Sequence, residues 1–251
     1  MLQTVVIAIL AGLLGAVVGS FLAAVSVRLP REEGVVFGRS RCMSCERTLA
    51  PAHLVPVISW LWLKGRCGWC KAAISPRYIQ IELGAAAIGV WAALTGGDWV
   101  FVAATALLGW QLLLIAIIDA ENFWLPDILT WPLAATGLIA AAVLGQGIPW
   151  AQLIGAVAGF GSLWLLAWTY KRLRGRDGLG GGDPFLFGAA GAWVGWMGLP
   201  SVLLWACAAG FAIVMARLIV RRAVSGTDRL PFGTFLAVGV WLTWVYGPIG
   251  V

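Results

Sequence analysis

Charge is what this chain has least of. Of its 251 residues, 11% are charged against 61% hydrophobic, and the mean hydropathy is +0.92, which excludes a soluble domain of ordinary composition. A bilayer is the medium such a chain needs. Its hydrocarbon core, about 30 Å thick, takes roughly 20 apolar residues per helix, so the length accommodates about eight spans, short loops and one modest extramembrane segment. No basic region precedes the first apolar run; the arginines follow it, which argues against a removable signal peptide. Histidine is reduced to a single residue, His53.

The apolar runs place helices near Leu2–Val27, Ile79–Leu94, Trp99–Ile118, Leu125–Leu144, Trp150–Tyr170, Pro184–Gly198, Pro200–Ile219 and Leu230–Tyr246. The sixth is short, and the Gly198-Leu199-Pro200 break after it reads either as a turn or as a kink; a kink lowers the count to seven. The distribution of the 17 Lys and Arg residues favours eight. Nine lie between the first two spans, from Arg28 through Arg39 to Arg77. Lys171, Arg172, Arg174 and Arg176 follow the fifth span, while Arg217, Arg221, Arg222 and Arg229 end the seventh and occupy the loop after it. An even count places all three groups on one side, which the positive-inside rule makes cytoplasmic, with both termini opposite. The formal charge of +6 is then a topology signal rather than a nucleic-acid surface. The expected organisation is an all-α integral membrane protein, with helix 1 over residues 1–27, a cytoplasmic loop over 28–78 and a seven-helix membrane domain over 79–251.

Four of the five cysteines fall in that loop, as Cys42-Met-Ser-Cys45 and Cys67-Gly-Trp-Cys70. Two CxxC knuckles 21 residues apart let four thiolates converge on a tetrahedral Zn²⁺, and a site with every position filled is structural. Disulfides are the competing reading, against which a reducing cytoplasm weighs. A loop this short builds little core, so the metal would supply its folding energy. His53 lies in the spacer as a substitute ligand, though with four cysteines present it reads as an ordinary loop histidine. Cys207 has no partner at useful spacing and reads as a small apolar residue.

Most of the 11 acidic residues lie in polar loops; Asp119 and Asp183 do not. Asp119 closes a long apolar run, where the negative end of the helix dipole gives a carboxylate no support. An interfacial acid reaching for water is the plain alternative. Asp183 follows Gly180-Gly181-Gly182 and precedes Pro184, where an Asp N-cap with Pro at the first helical position is an ordinary helix start. Topology adds what the cap reading lacks: the third span runs inward to Asp119 and the sixth runs outward from Asp183, so both carboxyls reach the same cytoplasmic depth. Two carboxyls sharing a site retain one proton between them, and such a pair can activate water while protonating the leaving group of an amide. Glycines before Asp183 let a substrate backbone come close, since no Cβ intervenes.

These features, in this order, resemble the type IV prepilin peptidase family of GxGD-type membrane aspartyl proteases. The resemblance runs through Gly19-Ser20-Phe21-Leu22, Arg28-Leu29-Pro30, the paired CxxC motifs, Arg77-Tyr78 with Glu82, and Asp119. It continues with Leu125-Pro126-Asp127, Gly180-x-Gly182-Asp183 and Leu230-Pro231-Phe232-Gly233. It implies cleavage of the basic leader from type IV prepilins or type II secretion pseudopilins at the cytoplasmic face of the bacterial inner membrane. Asp119 and Asp183 match the two catalytic aspartates, with Gly180, Gly182, Asp127 and Glu82 in support and Cys42, Cys45, Cys67 and Cys70 on structural zinc. Many members also methylate the new N-terminus with S-adenosylmethionine. Two departures stand out: Ala23 replaces the usual Asn, a position linked to the methyltransferase activity, and Phe185 stands where Lys is usual.

Implied partners are therefore prepilin substrates and the lipid bilayer, with no nucleic acid; the sequence leaves the oligomeric state open. Two other readings compete. A presenilin-like intramembrane protease cutting other helices would share the aspartates but has no use for the cysteine loop. A cation- or proton-coupled transporter would use both acids along a water-filled path, but the paired half-helix breaks of inverted repeats are missing. Glu82, just inside the second span, pairs on this reading with a loop arginine such as Arg77, or else contacts substrate.

Overall fold

The computed structural model describes residues 2–35, 40–145, 147–176, 178–220 and 230–250; Arg39, Arg221, Arg222 and Arg229 of the charge pattern lie outside these. Among the described residues the chain is nearly all helix: α1 Leu2–Arg28, α2 Ile58–Trp62, α3 Arg77–Leu94, α4 Trp99–Asn122, α5 Asp127–Gly145, α6 Trp150–Arg174, α7 Asp183–Ile219 and α8 Phe232–Tyr246. Extended pairing among the described residues is confined to two isolated bridges, Arg41 with Thr48 and Arg66 with Ala73. Helices α1, α4, α5, α6 and α7 are long and apolar enough to cross a membrane; α3, at 18 residues, and α8, at 15, are shorter. The chain is an all-α integral membrane protein, as the composition required, because a bilayer offers no other partner for backbone N–H and C=O groups.

Helix α7 differs from expectation in detail. Its 37 residues would reach about 55 Å at about 1.5 Å per residue, well beyond one bilayer core. The sixth and seventh predicted spans meet inside it with no loop between them, and the break lies at Gly195 (φ 70°, ψ 174°), not at Gly198-Leu199-Pro200. That conformation is open to glycine and closed to residues with a Cβ, whereas Pro200 is carried inside the helix that follows.

The chain divides into two compact units, Met1–Leu114 and Ile115–Val251. In the first, α1 packs along α3 at backbone contact: a Cβ on Gly15 would lie 2.3 Å from the Ala85 carbonyl oxygen, and one on Gly89 would lie 2.2 Å from that of Ala11. Lipid supplies no hydrophobic drive between helices, so small residues that admit close approach hold such pairs. In the second unit α7 packs against α5, α6 and α8. Gly155 and Gly191 bring α6 and α7 together in the same way, and the buried Trp193 indole donates to the Leu133 carbonyl at 2.8 Å. Residues Asp183–Trp193 of α7 are buried almost without interruption, so the core of this unit surrounds the helix start that carries Asp183.

Candidate functional site

The cysteine loop of the first unit is built from two copies of one turn. Around Cys42, its own N–H donates to the Arg47 carbonyl (3.0 Å) and the Glu46 N–H donates back to the Cys42 carbonyl (2.9 Å). Around Cys67 the same exchange links Ala72 (2.8 Å) and Lys71 (3.1 Å). Glu46 and Lys71 each take a positive φ, 56° and 60°, which reverses the chain after each CxxC. The Ser44 and Cys45 backbone N–H groups then face the first sulfur: hydrogen bonds from Cys45 and then Ser44 hold the Cys42 thiol down to about 6. Cys70 and Trp69 lower the Cys67 thiol in the same manner. At Cys70 the Ala72 N–H lowers the thiol, but burial and the sulfurs of Cys45, Cys67 and Cys42 outweigh it and push the group up to about 11.

The four sulfurs lie within 4.8 Å of one another, and those of Cys42 and Cys70 are 3.7 Å apart. A tetrahedron with metal–sulfur bonds of about 2.3 Å has edges of about 3.8 Å. Pairwise disulfides would not require all four to meet. The cluster can therefore hold a metal ion, and the donor set is that of a closed site. His53 is not a member; its ring packs edge-on to Trp69 at 6.0 Å. Cys207 is exposed on α7.

The second unit carries the two acids. Asp119 sits one turn before the end of α4 and is only 5% exposed; Asp183, at 3%, opens α7. Each carboxyl has one oxygen anchored. Oδ2 of Asp119 accepts the Thr234 backbone N–H at 2.6 Å and the Thr234 hydroxyl at 3.1 Å. That N–H belongs to the first turn of α8, whose leading amides have no partner inside their own helix. The Thr234 hydroxyl also reaches the Ala116 carbonyl at 3.1 Å. Oδ2 of Asp183 accepts the Gly180 N–H at 2.9 Å. The cap reading of Asp183 is thus corrected: Gly182 is the N-cap, and the carboxyl turns back onto the glycine loop instead of capping α7.

Glycine is required where these carboxyls are held. A Cβ on Gly180 would stand 3.0 Å from Asp183 Oδ2, and one on Gly182 would stand 2.4 Å from Leu125 Cβ. On the other side, a Cβ on Gly233 would lie 3.0 Å from Asp119 Oδ2 and 2.6 Å from Leu125 Cδ1. Leu125 therefore lies between the corner that carries Asp183 and the corner that holds Asp119. Gly181 has open space around it.

The remaining candidates are placed differently. Asp127 is the first residue of α5 and is exposed, a position where a carboxylate complements the helix dipole. Phe185 packs against Phe160 at 5.0 Å and Trp131 at 6.5 Å. Ala23 is fully buried. Glu82, in the first unit, is buried in α3 and accepts the Val57 N–H at 2.7 Å; the partner it displays is loop backbone, where the sequence pointed to a loop arginine. Arg77 donates to the Ser26 hydroxyl at 2.8 Å. Val57 itself is strained, at φ 62°, ψ −52°, in a tight turn closed by the Ile58 N–H on the Pro56 carbonyl at 2.6 Å. Sequence reasoning missed Thr234 and Val57, and named Leu125 only as part of Leu125-Pro126-Asp127. The only signal for Thr234 was its place directly after Phe232-Gly233.

Known proteins resemble this chain over most of its length. Residues 13–95 match the Bacterial Peptidase A24 N-terminal domain, and residues 106–215, which include both aspartates, match the Type IV leader peptidase family. A prepilin leader peptidase/N-methyltransferase of Aeromonas salmonicida (strain A449) is 41% identical over 210 residues, covering 83% of this chain and 72% of that protein. Those of Pseudomonas aeruginosa and Dichelobacter nodosus are 36% and 35% identical, covering 94% and 98% of this chain and 89% and 94% of their own. No solved structure matches. With most of its length aligned at these identities, the chain belongs to the type IV leader peptidase family.

Proposed function

We propose that the chain hydrolyses the peptide bond joining the basic leader of a prepilin or pseudopilin to its apolar segment, with Asp119 and Asp183 as the catalytic pair. The observation that carries this is the pairing itself. Two buried carboxyls from helices remote in sequence stand at glycine corners that share Leu125, and each has one oxygen anchored by a backbone N–H. One carboxylate takes a proton as water adds to the scissile carbonyl. The other, protonated, delivers its proton to the amide nitrogen as the C–N bond breaks, releasing a carboxyl end on the leader and a free amine on the pilin. Gly180 and Gly182 keep Cβ atoms away from the pair, and Asp127 supports the start of α5 beside Leu125.

The cysteine cluster is read as structural Zn²⁺ held by Cys42, Cys45, Cys67 and Cys70, so that residues 28–78 form a metal-folded loop and residues 79–251 the catalytic helices. The basic segments face the cytoplasm and the protein resides in the inner membrane. The relatives' names carry a second activity, that of an N-methyltransferase, which we extend to this chain as N-methylation of the new amine. Asp119→Asn and Asp183→Asn should each lower leader cleavage by at least about a thousandfold, the order associated with removing an acid–base group, while zinc content and membrane insertion persist. Mass spectrometry of a prepilin incubated with detergent-purified protein reads the outcome. Retained turnover in either variant would overturn the assignment.

A further inference from the structure

The cysteine loop of the first unit leaves a short apolar face uncovered. In α2, Ile58, Leu61 and Trp62 stand at i, i+3 and i+4 and so share one side of the helix; they are 62%, 58% and 80% exposed. Leu54 and Val55, just before the helix, are exposed as well. The opposite side is occupied. Ser59, Trp60 and Leu63 line the interior of the loop, and a Cβ on Gly65 would lie 2.8 Å from the Trp60 ring. A helix of five residues has no stability of its own, so its outer face is presented by the loop that holds it. Contiguous exposed apolar side chains of this kind mark a surface that meets a partner.

Depth and charge identify that partner. The Val57 N–H, at the start of α2, donates to Glu82 Oε2 at 2.7 Å. Glu82 in turn lies against α1: a Cβ on Gly19 would stand 2.7 Å from its Cα, and Gly19 is more than two turns inside the end of α1 at Arg28. The start of α2 is thereby pinned to the end of a helix long and apolar enough to span, at the level where hydrocarbon gives way to headgroups. Lys64 and Arg66, both exposed, follow the apolar face directly, and a tryptophan beside basic residues is the composition of a membrane interface. We propose that α2 is an interfacial anchor. Ile58, Leu61 and Trp62 enter the boundary between acyl chains and headgroups beside α1 and α3, lying in the plane of the bilayer as amphipathic interfacial helices do. Lys64 and Arg66 meet the phosphates of anionic lipids. The reversal after the anchor, with Lys64 at φ 52° and the Gly65 N–H on the Trp60 carbonyl at 2.8 Å, leads straight to Cys67, so the second cysteine turn is held against the bilayer surface.

The test uses the full chain reconstituted into vesicles of phosphatidylethanolamine and phosphatidylglycerol, with a trace of phosphatidylcholine that carries a diazirine on the upper part of one acyl chain. After irradiation, peptide mapping by mass spectrometry of the unsubstituted chain should find lipid adducts on residues 54–63 as well as on α1 and α3, a readout that needs no variant to fold. In the triple variant Ile58→Ser, Leu61→Ser and Trp62→Ser, adducts at the unchanged Leu54 and Val55 should fall at least about tenfold, the scale of three lost apolar side chains, while those on α1 persist. The double variant Lys64→Gln and Arg66→Gln should lower the same adducts about fivefold with phosphatidylglycerol present and leave them unchanged in vesicles of phosphatidylcholine alone. Adducts confined to the long helices, with 54–63 unlabelled, would overturn the proposal. So would cross-links from 54–63 to a second copy of the chain in place of lipid, or full labelling retained in the triple variant. Equal loss from the double variant in both kinds of vesicle would overturn the role given to Lys64 and Arg66. None of these readouts depends on leader cleavage, so failure here leaves the aspartyl reading standing, and loss of that reading leaves the anchor.

Discussion

Thr234 is the residue at which sequence reading fell shortest and geometry adds most. It lies beyond both matched family segments, yet it gives Asp119 Oδ2 two donors. Replacing its hydroxyl by a methyl group in Thr234→Val removes one of the two donors to Asp119 Oδ2, and kcat for leader cleavage should fall about tenfold with KM little changed. Thr234→Ser, which keeps the hydroxyl, should restore the rate; equal losses in both variants would assign Thr234 to packing alone. The glycine loop offers a sharper contrast. Gly182→Ala puts a Cβ 2.4 Å from Leu125 and should cost about 1–3 kcal/mol in overpacking and misplacement of Asp183, lowering cleavage markedly. Gly181→Ala meets open space and should cleave normally. Both are read by initial rates on one prepilin.

At the scale of elements, the two cysteine turns and the helices rest on different physics. The helices satisfy their own backbone and bury small-residue seams, and a chelator has nothing to remove from them. The loop has two isolated bridges and little core, so its order depends on what joins the four sulfurs. Stripping zinc, or Cys42→Ser, should make residues 40–75 sensitive to limited proteolysis while the far-ultraviolet helical signal changes little; a loop that stays resistant would show that it folds without metal. Zinc uptake also displaces protons. Cys42, held down to about 6, is largely thiolate at neutral pH, whereas Cys70, pushed up to about 11, must lose its proton to the incoming cation. Affinity should therefore fall as pH falls, which competition titrations with a chromogenic chelator will register.

For the whole molecule, orientation is the property with the widest consequence, because it decides which compartment meets the aspartates. Eight spans place the turn at 95–98 outside and the segment after α6 inside. In intact cells an impermeant maleimide should label Gly97→Cys and leave Gly175→Cys unlabelled until the membrane is permeabilised. Labelling of both from the same side would break the eight-span reading. The break at Gly195 matters here, since a helix of 37 residues serves as two spans only if the chain changes direction within it.

Much was legible before any coordinates. Apolar runs located every long helix to within a few residues, since a span must satisfy its own backbone and its length is set by the bilayer. The CxxC spacing announced four converging sulfurs. What no linear pattern carried was adjacency. That Oδ2 of Asp119 would take its donors from Thr234, 115 residues away, that Leu125 would lie between two glycine corners, and that Glu82 would hold Val57 in a strained turn all depend on which helix faces which. In a bilayer that choice rests on close backbone packing and a few interhelical hydrogen bonds rather than on hydrophobicity, and those terms exist only once the helices have met.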